Sequence, residues 1–86
     1  MSLKRIAALI PPEYRKEILD LDMIGRAIGN SSDATMAYLI TIWKNYIEPD
    51  FSPDCNLCIA RVLDNFKQMK ATLVDMEKDA NLLNTV

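Results

Sequence analysis

Cys55-Asn56-Leu57-Cys58 is the stretch of this 86-residue chain whose residue types and spacing come closest to a chemical motif. Two thiols three positions apart in the first turn of a helix share one face, and the helix dipole there lowers a thiol pKa. The pattern suits thiol–disulfide exchange or half of a tetrahedral zinc site. Thioredoxin-like chemistry needs a strand leading into the helix, and Asp50-Phe51-Ser52-Pro53 makes only a tight loop. Zinc needs four ligands. With no His and no third Cys, one chain completes a set only by adding Asp50 or Asp54, whereas two chains giving Cys55 and Cys58 each supply four thiolates. The simplest reading makes both cysteines small buried hydrophobes. The expectation is therefore no cofactor, with zinc shared between two chains as the alternative.

Acid–base chemistry finds less support. Asp20/Asp22 and Glu13/Glu17 fall on solvated positions near Arg15, Lys16 and Arg26, where helix-surface ion pairs form. A general acid needs burial to shift its pKa, and no apolar surround exists for these carboxylates. No His means no common general base, and so short a chain rarely encloses a substrate pocket, so an enzyme with a small-molecule substrate is not expected. For nucleic acid, Lys4, Arg5, Arg15 and Lys16 are the candidate contacts. With Arg26 they outnumber the acids of the N-terminal third by one, while the rest of the chain is net −3. A net charge of −2 and a pI near 4.9 argue against electrostatically driven binding to DNA or membranes.

Elements that position these residues can be read from spacing. Gly and Pro are few, alternating β-branched runs are missing, and the chain reads as all-α, a small domain of three to four helices with a long C-terminal helix. A first helix is predicted over Ser2 to Leu9, capped by Ser2 and stopped by Pro11-Pro12. A second starts at Pro12, carries Tyr14, Ile18, Leu21, Ile24 and Ile28 on one side, and ends at a left-handed Gly29-Asn30 cap. A break near Leu21, with Gly25 beside it, is the alternative. Asp33, in the cluster Ser31-Ser32-Asp33, caps a third helix from Ala34 to about Ile47, with Pro49 beyond its end. Met36, Leu39, Ile40, Trp43 and Ile47 form its stripe, and Tyr38, Ile42 and Tyr46 widen it until the helix must be surrounded.

Ser52-Pro53-Asp54 is read as the start of the last helix, 53–84, and 1–50 as a compact base of short helices. Cys55, Ile59, Val62, Phe66, Met69, Leu73, Met76, Ala80 and Leu83 alternate spacings of four and three, an unbroken heptad seam. Such a helix would be on the order of 48 Å long, against about 30 Å for a compact domain of this size. The upstream helices are expected to cover its first half, making Leu39, Trp43, Tyr46, Ile59, Val62 and Phe66 core anchors. Met69, Leu73, Met76, Ala80 and Leu83 are then left for a partner; the alternative ends the helix at Asn81. The longest uncharged run, Ala34 to Trp43, is ten residues, well short of a membrane span.

Trp43-Lys44-Asn45-Tyr46-Ile47-Glu48-Pro49-Asp50, then Cys55-x-x-Cys58 and Arg61-Val62-Leu63, resembles small uncharacterised all-helical proteins of tailed phages and prophage-like elements. The resemblance covers the second half of the chain and implies a setting, the host cytoplasm or the virion, rather than a mechanism. The resulting expectation is a non-enzymatic assembly or interaction protein, a homo-oligomer or part of a larger assembly, acting through its C-terminal helix. The alternative is an oligomeric nucleic-acid-binding packaging subunit.

Overall fold

A computed structural model describes residues 3–30, 32–52 and 54–84, with side chains through residue 78. Among the described residues the fold is all-α: α1 (Leu3–Leu9), α2 (Pro12–Asp20), α3 (Met23–Arg26), α4 (Ala34–Tyr46) and α5 (Asn56–Asn84). Ser2, expected to cap α1, lies outside them.

The second predicted helix is two. Pro12 at the first helical position and Glu13 in the first turn start α2. It closes with Leu21 N–H donating to the Glu17 carbonyl, and Asp22 then turns left-handed at φ 50°. Asp tolerates this conformation better than most side chains. Neither glycine has a positive φ, so the expected Gly29-Asn30 cap is replaced by Asp22 seven residues earlier. Gly25 has a different task, since a Cβ there would stand 2.8 Å from the Asp22 carboxylate oxygens. The turn resets the helical register. Met23 and Ile24 enter the core, while Leu21 and Ile28, expected on the buried stripe, are 50% and 60% exposed.

Asp33 caps α4 as expected. Its carboxylate accepts the N–H groups of Thr35 at 3.3 Å and Met36 at 3.1 Å, and also that of Ile28 at 2.7 Å, tying the α3–α4 loop to the helix start. These donors, Ile28 first, hold the Asp33 carboxyl below its usual value of 3.8. Asp33→Ala is expected to lower the thermal midpoint by a few degrees at neutral pH, as measured by circular dichroism. A depressed folded-state pKa stabilises fully above the unfolded value and is lost as pH falls through the folded one, so the two proteins should converge in melts well below pH 3.8.

The core is one cluster, and α1 through α4 all pack on α5, α1 most extensively. From α4 come Met36, Leu39, Ile40, Ile42 and Trp43; from α5 come Ile59, Val62, Leu63, Phe66, Met69 and Leu73. Ala7, Ile10 and the loop residue Phe51 are buried with them. The seam is therefore on the predicted side of α5, but its intramolecular cover runs further than expected. Met69 and Leu73, assigned to a partner, are both 0% exposed inside the single chain, and Met76 packs half-buried at the edge of the core. The division into a compact base and a projecting helix is corrected accordingly, because four short helices line most of one long one.

Helix α5 has 29 residues, about 43 Å at the standard rise, nearly the 46 Å longest dimension of the molecule. A radius of gyration of 13.0 Å exceeds the roughly 12 Å of a compact chain of this length, in keeping with that shape. The helix continues through Asn81, so the expected alternative break does not occur. Its start differs too. Ser52 Oγ donates to Asp54 Oδ2 at 2.6 Å within a turn, and the first helical residue is Asn56.

Candidate functional site

Starting α5 at Asn56 makes Cys55 the residue before the first helical position. Its carbonyl accepts the first helical bond, from Ile59 N–H at 3.1 Å, and its Sγ accepts from Cys58 N–H at 3.3 Å. Sulfur thus occupies the place usually filled by a Ser or Asp oxygen at a helix start. The loop before it is pinned by Phe51, 4% exposed, whose N–H donates to the Glu48 carbonyl at 3.0 Å.

The two thiols differ. Cys55 is held below the ordinary thiol range, first by the Cys58 thiol donating to it, then by the Cys58 N–H, against the opposing effect of burial. The Arg61 guanidinium, six residues along, acts in the same direction. Cys58 is pushed up by that same hydrogen bond, by burial and by the neighbouring Cys55 charge. Both are half-buried, with Cys58 against the core, and between them Leu57 is 82% exposed. Two thiols on one helix turn, the first the more readily ionised, are an attacking and a resolving sulfur of the kind disulfide exchange uses.

No protein-family model, curated protein or solved structure matches the chain.

Among the described residues no group of three or more His, Cys, Asp or Glu gathers in metal-ligating range, so Asp50 and Asp54 do not join the two thiols. No helix is long and apolar enough to cross a membrane. The four N-terminal cations are engaged differently. Lys4 and Arg5 are exposed on α1, whereas half-buried Arg15 donates through Nη1 to the Ala7 carbonyl at 3.3 Å, joining α2 to α1. Lys16 pairs with Asp20 at 3.4 Å.

The expected core anchors Leu39, Trp43, Ile59, Val62 and Phe66 are buried, and Trp43 meets Phe66 edge to face at 5.9 Å. Tyr46, the remaining anchor, is half-buried. Its ring lies 5.6 Å from that of Tyr14, and α2 and α4 meet there through aromatic side chains. Beside them Tyr38 bonds to the Glu17 carboxylate, which, with burial, pushes its hydroxyl pKa up to about 12. This polar seam links α2 to α4.

Sequence reasoning missed Leu57. Its signal was its register, because position 57 falls between seam positions 55 and 59 and faces away from them. Ala80 and Leu83 continue the seam register along the backbone of α5, and their side chains lie outside the described residues.

Proposed function

We propose that the protein is a non-enzymatic assembly protein, of the kind tailed phages and prophage-like elements encode, and that it pairs with a second copy through the C-terminal end of α5. The observation that carries this reading is how far the apolar register of α5 runs. Leu73 is fully buried, Met76 half-buried, and α5 then continues two more turns through Asn84 with Ala80 and Leu83 in the same register. An apolar register that runs to the end of a long helix can be met by the same register on another copy, because a two-fold contact buries both ends at once.

Light scattering coupled to chromatography tests the proposal across concentration. The wild-type chain is expected to associate at micromolar concentration, and Leu83→Asp to weaken that association by about tenfold or more with the melting curve little changed. A wild-type chain that stays monomeric to high micromolar concentration overturns it.

A further inference from the structure

We propose that Cys55 and Cys58 form a reversible thiol–disulfide site at the head of α5, which exchanges with low-molecular-weight disulfides of the glutathione type. A thioredoxin-like site has a strand leading into the helix. In the structure the buried Phe51 anchors the incoming loop, and the helix start places Cys55 Sγ 3.3 Å from Cys58 N–H. The strand is unnecessary because its task, delivering the first sulfur to the helix N-terminus, is done by this loop.

Two further observations point to reaction rather than capping alone. Sulfur is a weak acceptor, so a cysteine at this position gives a poorer cap than Ser or Asp. Both thiols are only half-buried, and Leu57, the sequence neighbour of Cys58, is the most exposed large hydrophobic side chain among the described residues at 82%, an apolar contact on the same turn.

The steps balance without a metal or a further cofactor. The Cys55 thiolate attacks one sulfur of the disulfide RSSR, forming a Cys55–SR mixed disulfide and releasing RS⁻. Cys58 gives up its proton, which the released thiolate takes, and its sulfur attacks Cys55 Sγ. The Cys55–Cys58 disulfide forms and the second RS⁻ leaves, protonated from solvent by the proton that Cys55 first gave up. The protein dithiol is oxidised by two electrons and RSSR is reduced to two RSH.

Incubating the full chain in glutathione redox buffer, quenching with acid and measuring intact mass under denaturing conditions tests this. The expected product is a monomeric chain lighter by two hydrogens, formed reversibly. Cys58→Ser should stall as a glutathione adduct on Cys55. Cys55→Ser, which retains a capping oxygen, should form adduct on the order of tenfold more slowly. Equal adduct formation by the two variants, or oxidation only to disulfide-linked dimers, overturns the proposal. So does zinc copurifying at about one ion per two chains with both thiols protected until a chelator is added, which would assign the pair to a metal bridge.

Discussion

Phe66→Ala is expected to destabilise the fold by about 3–5 kcal/mol, the usual loss when a fully buried aromatic residue is truncated. Phe66 is 0% exposed in the middle of α5 and is the largest of the fully buried side chains. Its edge-to-face contact with Trp43, at 5.9 Å and 65°, joins the two helices that contribute most of the core. An aromatic pair of this geometry adds about 0.5–1.5 kcal/mol beyond area burial. Truncation leaves a cavity against an indole that already lacks compensation, since the buried Trp43 Nε1 finds no acceptor among the described residues. A domain of this length is stable by only about 4–13 kcal/mol. Urea denaturation should therefore show a midpoint reduced by roughly a third or more, with wild-type slope. A loss below about 1 kcal/mol would mean that α4 and α5 are not joined through this pair.

What the sequence made legible follows from what periodicity measures. The four-three spacing of Ile59, Val62, Phe66, Met69 and Leu73 identifies one side of a helix, and that side is buried. It carries no information about the identity of the cover. Ala7 is too small to register as an anchor, Ile10 lies past the end of α1, and Phe51 sits in a loop, yet all three are buried in the same core. The expectation that only the first half of α5 is covered rested on its length against a compact domain's diameter, and a chain drawn out along that helix covers more of it. Asp33 was legible because a cap acts locally, on the N–H groups two and three residues after it. The break at Asp22 was not decided by sequence, because continuous and broken helices both fit until the left-handed backbone at one Asp moved Leu21 and Ile28 out of the core.

For the thiols, the spacing of Cys55 and Cys58 was plain, but their roles depended on a shift of the helix start by two or three residues. With α5 beginning at Ser52-Pro53-Asp54, both cysteines would lie inside the helix and differ little. Beginning at Asn56, Cys55 becomes the cap and Cys58 its donor, which is the source of their asymmetry. Capping competition of this kind is decided by local hydrogen bonds, here Ser52 to Asp54, more than by residue preference.

The corrected cover of α5 separates two substitutions that sequence alone would treat alike. Leu73→Asp is expected to unfold the chain, whereas Leu83→Asp is expected to leave it folded and change only its association. Leu73 is 0% exposed, so the first change forfeits about 2–5 kcal/mol of packing. Its carboxylate would enter a core with no buried polar or charged residue among those described, where an unpaired charge costs several kcal/mol more. The sum is comparable to the whole stability expected of such a domain. Circular dichroism should show the helical signal reduced and the cooperative melt lost at 25 °C. A Leu73→Asp chain that melts like wild type and merely becomes monomeric would make position 73 part of an interface and reverse the assignment. The contrast also guards the assembly proposal: a substitution at Leu73 that abolished association by unfolding the monomer would be mistaken for loss of contact, while one at Leu83 separates contact from folding.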